Sequence, residues 1–164
     1  MTDICFKQLV YGAKSPTRSS TGDAGYDLYS SEHVKIPAAK FGPLAFLKAW
    51  WTGDYSSMYP GLVKVHTGIS INMPREQMAG FIYDRSGLGS KGLHRFAGLI
   101  DSSYTGEIMV VLVNFSSEDF YINRYDRIAQ IVFQDVINQQ PYLIESDGKK
   151  ISERGSNGFG STGN

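Results

Sequence analysis

The chain has 164 residues, and its 16 Lys and Arg are balanced by 16 Asp and Glu. That length supports one domain with a real core. The missing basic excess argues against a nucleic-acid-binding protein, so any phosphate binding has to come from a few placed groups. The single Cys5 allows no intrachain disulfide, which fits a reducing compartment, and it reads as a small buried apolar residue. With no apolar run of transmembrane length and no signal-peptide pattern, the expectation is a protein of the cytoplasm or another intracellular compartment, nuclear or inside a virus-infected host cell, with no membrane contact.

Strand signals dominate. In chain order the candidates are Ile4–Leu9, Val34–Ile36, the alternating β-branched run Leu62–Ile71, Gly80–Tyr83, the continuous apolar run Glu107–Phe115, and Arg127–Val136. Clusters of Gly, Pro, Asn, Asp and Ser separate them at spacings near ten residues, which predicts one all-β domain, a barrel or sandwich. The stretch 38–60 breaks the rhythm and holds both tryptophans, Trp50 and Trp51. Pro43 suits a helix start and Gly53 the position just past a helix end. Because the segment is apolar nearly all round, two readings stand: a short helix or aromatic loop packed on the outside of the barrel, and, for residues 41–59, an exposed surface for a protein partner.

Four internal clusters and the C-terminal tail carry polar groups that suit a nucleotide. Asp23-Ala-Gly-Tyr-Asp27-Leu28 sets two carboxylates around a glycine, although such a segment is commonly a plain turn. Arg85-Ser86-Gly87-Leu88, with Lys91 after it, combines a guanidinium, a hydroxyl and flexible backbone, as a phosphate site or a capped turn does. Arg127-Ile-Ala-Gln130 opens a strand. Gly98-Leu99-Ile-Asp101-Ser-Ser-Tyr104-Thr-Gly106-Glu107 reads as a β-hairpin, with Asp101 either a general base or the residue that opens the turn, and Tyr104 either against a sugar or in the core. The tail, Arg154-Gly-Ser-Asn-Gly-Phe159-Gly-Ser161-Thr162-Gly-Asn164, is too poor in apolar residues to offset its ordering entropy. It nevertheless offers a guanidinium fork, hydroxyls and a ring that stacks on a base. Residues 1–153 are expected to form the domain and 154–164 a mobile lid over a nucleotide.

These five blocks, in this order and spacing, resemble the trimeric deoxyuridine triphosphatases (dUTPases). The resemblance runs from about residue 23 to the C-terminus, and it is most specific in Gly-Leu-Ile-Asp-x-x-Tyr-x-Gly and in Arg-Gly-x-x-Gly-Phe-Gly-Ser-Thr-Gly. It implies a jelly-roll-like β-barrel and a homotrimer in which the C-terminal tail is exchanged between subunits and each of three sites borrows from more than one chain. The implied reaction is hydrolysis of dUTP to dUMP and pyrophosphate with Mg2+ on the triphosphate, which keeps uracil out of DNA and supplies dUMP for thymidylate synthesis. Asp101 would activate the water that attacks the α-phosphorus. Tyr104 would pack on the deoxyribose, and backbone at Gly98, Leu99 and Met109 would read uracil, with Phe159 stacked on it. Arg85, Ser86, Gly87, Gln130, Arg154, Ser161 and Thr162 would hold phosphates, and Asp27 would hold the metal through water.

The chain departs from the common pattern at Ser103, where a second acid is usual, at Gly89, in the compact connection Lys91–Ala97 with His94 and Arg95, and in the length of 38–60. Two rivals share the fold. A dCTP deaminase would need a glutamate acid/base, for which Glu107 is the nearby candidate, and a nucleotide-sensing regulatory protein would need no catalysis. His33, His66, His94 and Cys5 lack the partners of a nucleophilic or metal site, and no Gly-x4-Gly-Lys-Ser/Thr loop is present.

Overall fold

The computed structural model describes residues 3–39, 43–53 and 61–143; the expected lid, with Arg154, Phe159, Ser161 and Thr162, lies outside them. The described chain is all-β apart from two helices. Its strands are β1 (Cys5–Gln8), β2 (Tyr26–Tyr29), β3 (Val34–Ile36), β4 (Gly61–His66), β5 (Ile69–Asn72), β6 (Met78–Tyr83), β7 (Leu93–Phe96), β8 (Leu99–Asp101), β9 (Met109–Asn114), β10 (Phe120–Ile122) and β11 (Arg127–Asp135). All pairings are antiparallel. The largest sheet runs β2-β11-β6-β8, a second runs β4-β9-β7, and the two-stranded ribbons β1-β5 and β3-β10 complete the set.

Period-two alternation drives this arrangement, since one face of each strand points to a common core. Leu28, Ile36, Val65, Leu93, Ile108, Ile128 and Ile131 are fully buried there. Of the buried polar residues, Ser30, Thr67, Ser70 and Asn114, Asn114 is the most deeply buried, and its amide is fully used: Nδ2 donates to the carbonyls of Ile36 and Glu118, while Oδ1 accepts from the backbone and hydroxyl of Ser116. That is how an amide at the end of β9 becomes tolerable in the core.

Three expectations change. The run Leu62–Ile71 is two strands, because Gly68 takes φ +71° and a Cβ there would lie 2.8 Å from the Ala13 side chain; the chain turns and enters a different sheet. Cys5 is exposed, not buried, since the alternation of β1 gives the inward position to Phe6, which packs on the core. The segment from Gly98 to Met109 is not a paired hairpin: β8 pairs with β6, whereas β9 pairs with β4 and β7, so residues 102–108 cross between two sheets. The aromatic stretch does contain a helix, α1 (Pro43–Thr52), bounded as Pro43 and Gly53 foretold, with Gly53 at φ +68°. Only Ala49 of its described side chains is buried; Leu44, Phe46, Leu47, Trp50 and Trp51 are exposed. A one-turn helix, α2 (Ser86–Gly89), follows β6.

Candidate active site

The register of the large sheet assembles the first half of the site. Gln130 of β11 lies abreast of Asp27 of β2 on one side and Tyr83 of β6 on the other. β6 then leads directly into Asp84, Arg85 and α2. Asp27, Arg85, Ser86, Gly87 and Gln130 therefore line one open cleft of about 710 Å³. Gln130 donates through Nε2 to the Asp84 carbonyl, 2.9 Å, and a Cβ at Gly25 would lie 2.5 Å from its side-chain oxygen, so that glycine makes room for it. Ser86 and Gly87, whose N–H groups have no intrahelical acceptor in the first turn of α2, line the same cleft.

Asp27 is the electrostatic centre of this cleft. Its two oxygens accept from Arg85 Nε at 2.8 Å and from Arg127 Nη1 at 3.2 Å. Arg127, read from the sequence only as the start of a strand, is thus a partner of the predicted metal residue. Asp23 instead closes a loop, its Oδ2 accepting from the backbone of Ser19 and Ser20. No group of three metal-binding side chains occurs among the described residues. This donor set does not make a cage for a resident Mg2+, which is usually held by one or two carboxylates together with substrate phosphates and water. It does fit a Mg2+ that arrives on a polyphosphate: Asp27 spends about two of its roughly four lone-pair positions on the arginines and keeps the rest for metal-bound water.

The second half lies where β8 and β9 part. A pocket of about 200 Å³ is lined by Leu99, Asp101, Tyr104, Glu107 and Met109, with Lys64 at its side. β8 is an edge strand of its sheet. β7 covers β9 only from Val111 onward, so Met109 keeps one side open. Two strand edges with unpaired amide and carbonyl groups thus face a slot, a surface suited to a flat polar ring. Gly98, at φ +122° and with a Cβ position only 3.1 Å from the Ile82 carbonyl, is the glycine that brings β8 against β6. Asp101 is exposed, and its carboxylate takes no hydrogen bond from the described residues. Tyr104 is half-exposed, not in the core, and its hydroxyl donates to the Glu107 carbonyl at 2.8 Å.

Glu107 fixes the far wall. Its oxygens accept from Gly68 N at 2.7 Å and from His66 Nδ1 at 2.8 Å, an anchor that the sequence did not suggest because the partners lie about forty positions away. The hydrogen bond that His66 donates to Glu107 holds the imidazole above its ordinary pKa against a smaller opposing effect of burial, with the Glu107 and Glu32 charges adding to the rise.

The two openings are separate, and a third of about 420 Å³ shares Tyr83 and Arg95 with the first and Leu99 with the second. Asp101 lies beside Ala79 at one end of β6, and the residues of the large cleft follow Tyr83 at the other, roughly 13 Å away at the rise of a strand.

An amide-rich cleft with arginines and a slot of open strand edges, on an all-β scaffold, describe a site for a phosphorylated ligand with a flat base. The dUTPase sequence profile matches residues 54–163, beginning just past α1. The deoxyuridine 5′-triphosphate nucleotidohydrolase of Paramecium bursaria Chlorella virus 1 is 36% identical over 99% of both chains, and that of Saccharomyces cerevisiae is 38% identical over 93% of this chain and 88% of its own. The chain belongs to the dUTPase family. Its fold matches that of a Staphylococcus bacteriophage 80alpha dUTPase variant solved with dUpNHpp, with a TM-score of 0.79 at 23% identity and 99% coverage of both chains. It also matches a phage phi11 dUTPase variant described with a structural Mg(II) ion, with a TM-score of 0.71 at 20% identity, covering 90% of this chain and 99% of that one.

Proposed function

We propose that the protein hydrolyses dUTP to dUMP and pyrophosphate, with Asp101 activating the water that attacks the α-phosphorus. The observation that carries this reading is the free Asp101 carboxylate at the mouth of the slot between β8 and β9. Uracil would enter the slot and pair with the open edges at Gly98, Leu99 and Met109, while Tyr104 would meet the deoxyribose. The triphosphate would take the amides of Ser86 and Gly87, with Arg85 and Gln130 beside them. Mg2+ on the phosphates would neutralise charge and touch Asp27 through water. Residues 154–164 would act as a lid, closing with Arg154, Ser161 and Thr162 on the γ-phosphate and Phe159 on the base. Phosphoryl chemistry of this kind needs positioning and charge neutralisation more than covalent help. dUTP hydrolysis would supply dUMP and keep uracil out of DNA.

The separation of Asp101 from the phosphate cleft supports a homotrimer. A water held by Asp101 must come within about 3.5 Å of the phosphorus it attacks, so the cleft of one subunit would receive the slot of another. The deaminase reading finds no support at Glu107, since both of its carboxylate oxygens are engaged by Gly68 and His66. The test is pyrophosphate release from dUTP, dCTP, dTTP and UTP by the wild type and by Asp101→Asn. Release from dUTP alone, cut by roughly two to four orders of magnitude in the variant, is the expected outcome; an Asn variant that keeps more than about a tenth of the rate removes Asp101 from that role.

A further inference from the structure

The phosphate cleft is poorer in free positive charge than its contents suggest. Three carboxylates line it, Asp23, Asp27 and Asp84, against two guanidinium groups, Arg85 and Arg95. Arg85 is committed to Asp27. Arg95, on β7, has no carboxylate within ion-pair distance among the described residues. Its Nη1 donates to the Ala97 carbonyl, its guanidinium carbon lies 5.7 Å from the centre of the Tyr83 ring, and its buried Nε has no acceptor. A buried donor without a partner is costly and asks for an explanation.

The position of this side chain is held from below. Asp84, the residue before Arg85, accepts the Arg95 backbone N–H at 2.7 Å through one oxygen and contacts His94 Nδ1 at 2.9 Å through the other. Asp84 thus ties β7 to the start of the phosphate-lining segment and leaves the guanidinium between two openings: the large cleft, and a neighbouring one of about 420 Å³ walled by Gly98 and Leu99.

We infer that Arg95 is a further substrate-binding residue, whose guanidinium donates to the polyphosphate of the nucleotide in the cleft beside Ser86 and Gly87. The inference rests on the dUTP reading and deepens it. A polyphosphate brings several negative charges into a cleft where Arg85 and Arg127 are already paired with Asp27, and a guanidinium free of carboxylates is the group whose attraction is not already spent. Tyr83 and Ala97 hold it in place before the ligand arrives, so little side-chain entropy is lost on binding.

The test measures binding of a non-hydrolysable imido analogue of dUTP, with Mg2+, and competition by 2′-deoxyuridine, for the whole chain as wild type, Arg95→Met and Arg95→Lys. Arg95→Met keeps the apolar stem and removes the charge. It should weaken the triphosphate analogue by about ten- to a hundredfold, the range for hydrogen bonds to charged groups, and leave deoxyuridine unchanged. Arg95→Lys should recover part of the loss as a point charge. An Arg95→Met protein within about twofold of wild type for the analogue overturns the inference. Equal losses for analogue and deoxyuridine overturn it too, because they assign Arg95 a purely structural role. A wild type that fails to bind the analogue at all would instead overturn the dUTP reading itself.

Discussion

At Gly106 a Cβ would lie 2.5 Å from the Tyr104 hydroxyl, so this glycine lets the ring lie flat against its own turn while the hydroxyl reaches the Glu107 carbonyl. The ring is thereby fixed by two local contacts and presents its face to the slot. If that face excludes a 2′-hydroxyl, Tyr104→Phe should still discriminate dUTP from UTP, since the ring stays, whereas Tyr104→Ala should lose roughly tenfold or more of that discrimination. kcat/KM for the two nucleotides decides it, and unchanged selectivity in the Ala variant removes the role. That Asp101 and Tyr104 lie together was legible in the sequence because they stand three positions apart in one turn. The pairing of Asp27 with Arg127 was not: the partners are 100 residues apart, and only the register of β2 against β11 brings them together. The unpaired Arg95 was visible as a residue near the turn but not as the free cation of a cleft, because that status depends on where every carboxylate ends up.

Among the elements, the long apolar strands were read to within two residues at each end, as β11 and β9 show. Of the short ones, β1 and β3 were read and β8 was expected as one arm of a hairpin, whereas β2, β7 and β10 were missed, since three or four residues carry little period. The parting of β8 from β9 was hidden for a different reason: a turn sequence between two apolar runs looks alike whether the runs pair with each other or with other sheets. The wall of that gap hangs on β4 through His66 and Glu107. The His66 pKa is raised in the fold, first by the hydrogen bond to Glu107. Its contribution to stability should therefore be fully present below the ordinary imidazole value of 6.5 and be lost as pH rises through the raised value. Wild type should exceed His66→Gln in thermal stability at the acid end of a melt series and converge with it at the alkaline end; a gap that widens with pH contradicts the sign. The pair is partly exposed, so the effect is small and should shrink with salt. Helix α1 makes a separate case. With Trp50 67% and Trp51 86% exposed, replacing either by Ala should change stability by no more than about 0.5 kcal/mol, whereas Ala49→Leu at the one fully buried position should cost about 1–3 kcal/mol. Melts of the three variants check this, and a loss on the order of 3 kcal/mol at either tryptophan would mean that α1 is covered in the assembled protein.

For the whole molecule, the question is whether one chain is enough. Asp101 of β8 lies beside one end of β6, the other end leads to Arg85 and Ser86, and a strand cannot shorten to bring them together. On the dUTP reading, the centre would take Asp101 from one copy and the cleft from another, as a closed ring of subunits in head-to-tail contact allows. This gives a test that no single substitution provides. Asp101→Asn and Arg85→Ala, which removes a guanidinium from the cleft, should each lose most of their activity alone. Co-expressed in equal amounts, they should form mixed assemblies in which about one site in four receives an intact Asp101 from one subunit and an intact Arg85 from its neighbour. Activity should therefore return to about a quarter of the wild-type level per chain. If each chain carried its own complete site, every chain in the mixture would still lack one of the two residues and no activity would return. Simply mixing the purified variants gives a second reading, since recovery then appears only as fast as subunits exchange, and its rate measures how firmly the assembly holds together.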